Sequence, residues 1–161
     1  MSGRAISLNH VSVIARDLEE GIRFYEEVLG LERVPTPNFG SPIQWLRAGD
    51  RQLHLFERSG EAPTHAHVAF EIDDFMGVYR RAKQRGLLDH DTFGSAIREL
   101  PGGAVQMYIR DPSGNLVEVD HRDAPTVPLH EVPEYTRLAD VFPQDGDAAR
   151  ARLFETDGED R

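Results

Sequence analysis

The chain has 161 residues, no cysteine and a formal charge of −10 at pH 7. That length holds a domain with a core of its own, the lack of cysteine excludes a disulfide framework and a thiolate metal site and fits a reducing, cytoplasmic setting, and the acidic balance is the opposite of a nucleic-acid footprint. The opening MSGRAIS carries no apolar secretory core and no run reaches the length of a membrane span, so neither nucleic acid nor membrane is an expected partner.

From residue 10 the segment HVSVIA alternates, with His10, Ser12 and Ile14 on one face and Val11, Val13 and Ala15 on the other, which predicts a strand. RDLEEGIRFYEEVLG follows: Leu18, Ile22, Tyr25 and Leu29 recur at helical spacing, Asp17 stands at the N-cap with Glu20 three residues on, and Gly30 is the stop. After the loop VPTPNFGSP, the segments IQWLRAG and RQLHLFE around Gly49-Asp50 predict a β-hairpin. The order then recurs. HVAFEI predicts a strand, and DDFMGVYRRAKQRG a helix with Phe75, Val78, Tyr79 and Ala82 on one stripe. SAIREL predicts a strand and PGG a turn; AVQMYIR and LVEVDH form a hairpin around DPSGN, which has strong turn chemistry.

The interval from His10 to Leu18 equals that from His67 to Phe75, and Gly30-Leu31 closes the first helix as Gly86-Leu87 closes the second. The chain therefore reads as α+β, a βαβββ module written twice at residues 7–57 and 65–121, within a single domain of residues 1–121. Residues 122–161 break the pattern. They are an acidic, Pro-containing tail with helical character only in DAARARLFE, expected to wrap the domain or a partner or to be partly disordered.

Strand alternation sorts the side chains by face. Val11 and Val13, Leu53 and Leu55, Val68 and Phe70, Val105, Met107 and Ile109, and Val117 and Val119 go to the helix side, while His10, His54, His67, Tyr108 and Glu118 fall on the other. Under the repeat His10 matches His67, and His54 matches Glu118. A single strand histidine is ordinarily a packing or surface residue, but four matched positions with ligand chemistry outweigh that. Imidazole nitrogen with carboxylate oxygen is the donor set of Fe2+, Mn2+, Ni2+, Co2+ or Zn2+. His65 shares the face of His67 without a counterpart in the repeat, and His90, His121 and His130 read as surface residues of loops or the tail.

The segments NHVSV, DLEEGIRFYEEVLGL, HVAFEIDD and YIRDPSGNLVEV together resemble the vicinal oxygen chelate superfamily over residues 6–121. That superfamily contains glyoxalase I, extradiol dioxygenases, methylmalonyl-CoA epimerase, fosfomycin-resistance thiol transferases and bleomycin-binding proteins. The resemblance implies paired βαβββ modules whose mixed sheets curl around a divalent metal, with Fe2+ favoured, held by His10, His67 and Glu118. In glyoxalase I and the epimerase a fourth ligand stands where His54 is. In extradiol dioxygenases a histidine near that place works as acid–base, and a tyrosine ten residues before the glutamate ligand, the place of Tyr108, assists. Catalytic roles for His54, Tyr108 and Glu118 follow from the resemblance. The implied function is a metal-dependent enzyme acting on a small metal-chelating oxygenated substrate, extradiol chemistry being preferred. A glyoxalase-type lyase, isomerase or epimerase is the alternative, and a non-catalytic drug-binding resistance protein a further one. LPGGAVQM lacks the cation loop of the thiol transferases. Trp45, Phe56 and Phe93 are read as pocket walls or as core. A homodimer is implied by the same resemblance.

Overall fold

The computed structural model describes residues 4–5 and 7–154. The α+β expectation stands: the chain builds two mixed sheets, of four and of five strands, and divides into two compact units. One unit takes the residues up to Val68 together with Asp111–Leu116; the other takes Ala69–Arg110 and the chain from Val117 onward.

In the first unit β1 (His10–Ala15) runs parallel to β4 (Arg51–Glu57), β4 pairs antiparallel with β3 (Ile43–Ala48), and β3 with the short β2 (Glu32–Val34). Helix α1 (Leu18–Leu29) begins where Asp17 Oδ1 accepts a hydrogen bond from the Glu20 amide at 2.8 Å. It ends at Gly30, whose φ of 72° is a left-handed cap that donates its N–H to the Glu26 carbonyl. The expected stripe is buried at Ile22 and Tyr25, joined by Phe24 and Val28, while Leu18 and Leu29 at the two helix ends are only half-buried. A Cβ on Gly21 would lie 3.3 Å from the Ala15 Cβ, so glycine here lets the helix sit close on the strand. Leu53 and Leu55 are fully buried, each side chain contributing about 1.5–3 kcal/mol by burial.

The same unit is completed by the DPSGN turn. The buried Asp111 carboxylate accepts from the Tyr25 hydroxyl at 3.0 Å, the Ser113 amide at 2.9 Å, and the Asn115 amide and side chain at 2.8 and 2.7 Å. The Asn115 side chain also donates to the Ile14 carbonyl, and the Ser113 hydroxyl accepts from the Arg16 amide.

The second sheet runs β5 (His67–Glu71), β8 (Leu116–His121), β7 (Val105–Arg110), β6 (Ile97–Glu99), β9 (Tyr135–Arg137). Helix α2 (Phe75–Gln84) is capped by Asp74 and buries the predicted stripe Phe75, Val78, Tyr79 and Ala82. Strand β9 comes from the tail and pairs parallel with β6. The tail therefore wraps its own unit. It buries Leu129 and Val132, its Glu134 carboxylate accepts from the Tyr79 hydroxyl at 2.7 Å and pairs with Lys83 at 2.9 Å, and its Thr136 hydroxyl meets that of Ser95 at 2.9 Å. Beyond it lie α3 (Leu138–Val141) and α4 (Gly146–Arg150). The helix expected over DAARARLFE stops at Arg150, and its last residue, Glu155, lies outside the described residues. With no side-chain cap and no buried residue, α4 has nothing to offset the cost of a longer helix.

The segment between α2 and β6 is pinned by one ion pair. Asp89 meets Arg110 at 2.7 Å and also accepts from the Thr92 amide and hydroxyl. Burial alone would raise the Asp89 carboxyl, but the Thr92 and Arg110 bonds outweigh it and hold it below its ordinary value. A depressed carboxyl stabilises the fold above the unfolded pKa and loses that contribution as pH falls through the folded one. Asp89→Asn is therefore expected to cost about 1–2 kcal/mol at pH 7, and the gap to wild type should close as pH drops below 3.8. Urea unfolding across pH checks this; a gap independent of pH would remove the ion pair as its cause.

Candidate functional site

In the first unit the cross-strand register sets Ser12 and Trp45 on either side of His54, on the face turned away from Leu53 and Leu55. His10 leans over His54 with ring centroids 4.1 Å apart and planes 14° apart, and Trp45 stacks on His54 at 4.4 Å and 7°. Because β4 lies between β1 and β3, the His54 ring is sandwiched. It is 6% exposed, and burial first, then the charge of His10, lowers its pKa, so it is neutral at pH 7. Its Nε2 bonds the Gln52 side-chain oxygen at 2.9 Å.

His10 and His67 are exposed and share a different arrangement. His10 Nδ1 bonds the Asn9 side-chain oxygen at 2.8 Å, and His67 Nδ1 bonds the His65 carbonyl at 2.8 Å. A ring nitrogen facing such an oxygen is the donor, so in the neutral rings Nδ1 carries the proton and Nε2 the lone pair. The His65 backbone thus serves His67, while the His65 ring bonds the Thr64 hydroxyl. His90 and His130 are exposed as expected; His121 closes β8 and is half-buried instead of lying in a loop.

In the second unit the polar face is buried. Glu118 and Asp120 are each 4% exposed, and Gln106 and Tyr108 are buried beside them. Counting outward from the Asp111 amide to Asn115 carbonyl bond puts Tyr108 opposite Glu118 and Gln106 opposite Asp120. The Gln106 amide donates to Glu118 at 2.6 Å, and the Tyr108 hydroxyl donates to Gln106 at 3.3 Å. Burial first, and then the neighbouring Glu118 charge, raises the Tyr108 hydroxyl and the Asp120 carboxyl alike. Tyr108 is therefore a hydroxyl donor at pH 7. Phe93 packs on the Tyr108 ring at 4.7 Å. Asp120 Oδ1, Arg98 Nε and Trp45 Nε1 are buried without a hydrogen-bond partner among the described residues.

The structure thus brings His10 to His54, and Tyr108 to Glu118. Among the described residues no three His, Asp or Glu side chains stand grouped as around an ion. Trp45 and Phe93 lie against residues expected in the site, and Phe56 is half-buried. Sequence reasoning missed Arg98, and it assigned no role to Gln52, Gln106 or Asp120. The signal for Arg98 was the alternation of β6: Ile97 pairs with Met107 in the core, so Arg98 shares the face of its partner Gln106.

A family model described as the Glyoxalase/Bleomycin resistance protein/Dioxygenase superfamily matches residues 7–119. The protein named Glyoxylase I 4 of Arabidopsis thaliana is 28% identical over 136 residues, 76% of this chain and 75% of that one. The mitochondrial methylmalonyl-CoA epimerase of Mus musculus is 28% identical over 131 residues, 70% of this chain and 71% of that one. The crystal structure of lactoylglutathione lyase from Agrobacterium tumefaciens superposes with a TM-score of 0.55 at 25% identity, covering 74% of this chain and 96% of that one. These relatives carry lyase and epimerase names, so the preference for ring cleavage gives way to the alternative reading. The chain belongs to the glyoxalase, bleomycin resistance protein and dioxygenase superfamily.

Proposed function

We propose that the protein is a metal-dependent isomerase or lyase of the glyoxalase and epimerase kind, which moves a proton on the carbon beside a carbonyl of a small oxygenated substrate. One observation carries the reading: His10 and His67, at matched positions of the repeat, both tie Nδ1 to an oxygen and present the lone pair on Nε2. Metal-binding histidines are oriented in this way. Glu118 supplies a carboxylate, and His54, held neutral, is the fourth donor. The donor set fits a divalent transition ion, and the buried carboxyl pair of Glu118 and Asp120, with Asp120 Oδ1 lacking a hydrogen-bond partner among the described residues, fits a nearby cation. When bound, such an ion acts as a Lewis acid on a chelating substrate oxygen. Proton transfer needs no redox change, so the preference for Fe2+ falls with the ring-cleavage reading.

The chain's own groups do the rest. Glu118, buried and hydrogen-bonded by Gln106, is the group that takes and returns the proton. Tyr108, kept protonated, donates a hydrogen bond to developing negative charge, and Phe93 over its ring keeps water from that side. The Tyr108 to Glu118 spacing that favoured a dioxygenase has a simpler cause, since the hairpin register sets the two residues opposite one another. The working form in this reading is a cytoplasmic homodimer.

Glu118→Gln is expected to lower bound Mn2+ or Ni2+ about tenfold or more, measured by mass spectrometry of the purified protein; full occupancy would take Glu118 out of the site. His54→Ala should lose metal in the same measurement, whereas retained metal with lost turnover makes His54 an acid–base group. Turnover is read as solvent deuterium entering the product from a glutathione hemithioacetal or a methylmalonyl thioester. Oxygen uptake with a catechol and no deuterium exchange with either substrate would overturn the reading. Sedimentation at micromolar concentration is expected to give a dimer.

A further inference from the structure

Four arginines lie on or beside the second sheet, and three of them have carboxylate partners, Arg137 standing 3.9 Å from Glu99. Arg110 holds Asp89 at 2.7 Å and Arg122 holds Glu71 at 2.6 Å. Arg98 does not follow them. Its guanidinium donates from Nη2 to the Phe93 carbonyl at 2.8 Å, and its Nε is buried with no acceptor among the described residues. Leaving a buried charged donor unpaired costs more than leaving a neutral one, and the Arg98 Nε–H is such a donor.

Its position is informative. Arg98 pairs across the strands with Gln106, whose amide holds Glu118, and its charge acts on the Tyr108 hydroxyl. Neighbouring strands lie about 4.8 Å apart, so Arg98 on β6 is two strand spacings, about 10 Å in backbone terms, from the Glu118 strand β8. Both side chains rise from one face, and Arg98 is half-buried, leaving part of it open to solvent. A guanidinium presents paired N–H groups that match a carboxylate.

Resting on the reading of Glu118 as a metal ligand, we propose that Arg98 is a specificity-determining residue that binds a carboxylate of the substrate, joined by a few atoms to the oxygens that chelate the metal. The substrate class is then a small chelating acid, and neutral dicarbonyl analogues are discriminated against.

The test uses calorimetry on full-length protein loaded with Mn2+. Two chelators are compared: succinic acid monohydroxamate, which carries a free carboxylate, and its methyl ester, which does not. Wild type is expected to bind the acid about tenfold more tightly than the ester, as a charge-assisted pair allows. Arg98→Met should erase that preference while leaving ester affinity and melting temperature unchanged, and Arg98→Lys should keep part of it. Equal binding of acid and ester by wild type overturns the inference alone. So does an Arg98→Met protein that melts lower and binds both chelators equally weakly, because the charge then serves the fold. If neither chelator binds the wild type, the metal-site reading fails and the inference with it.

Discussion

A single buried carboxylate organises the first unit. Asp111 receives four hydrogen bonds, from Tyr25, from the Ser113 amide and twice from Asn115, in a setting where an unpaired charge would be intolerable. Tyr25 is fully buried on the inner stripe of α1, so its hydroxyl needs a partner inside the fold and meets one in Asp111. The consequence reaches along the chain. The turn that satisfies Asp111 also closes the β7–β8 hairpin, and the closing bond sets the register in which Tyr108 meets Glu118 and Gln106 meets Asp120.

The repeat is faithful in backbone and unfaithful in environment. Both halves read strand, capped helix, left-handed glycine and strands in the same order, and matched positions share their burial, His10 and His67 exposed, His54 and Glu118 covered, but their neighbours differ. The difference lies in what covers the polar face. In the first unit aromatic rings stack face to face across the strands, with His54 between His10 and Trp45. In the second, Phe93 and a set of side-chain bonds cover the face, and burial beside Glu118 raises the Asp120 carboxyl. The same alternation of residues yields an imidazole stack on one sheet and a buried carboxyl pair on the other.

Local signals were legible from the amino-acid order. The Asp17 cap, the Gly30 stop, the α2 stripe and the hairpin turns are each decided within a few residues, and each stands as read. Strand β9 was not legible: Tyr135–Arg137 is three residues long and pairs with a strand far back in the chain, so neither length nor periodicity marks it. The orientation of His67 was not legible either, because its partner is a backbone carbonyl that any residue at position 65 would supply. Arg98 lay in plain view, but its meaning depends on which neighbours lack a carboxylate, and that is a property of packing.

Strand β9 closes one edge of the second sheet, and it is drawn from the last part of the chain. During synthesis from the N-terminus, β5, β7 and β8 can pair long before Tyr135 is made, while the outer side of β6 keeps its backbone donors and acceptors open. The edge is exposed for as long as translation takes to cover the interval from Glu99 to Arg137, and a transcript cut short within it yields a chain whose sheet offers that edge to other chains. The tail thus covers the outer side of β6 and leaves in its place a three-residue edge strand, the short kind of edge that offers another chain least to pair with.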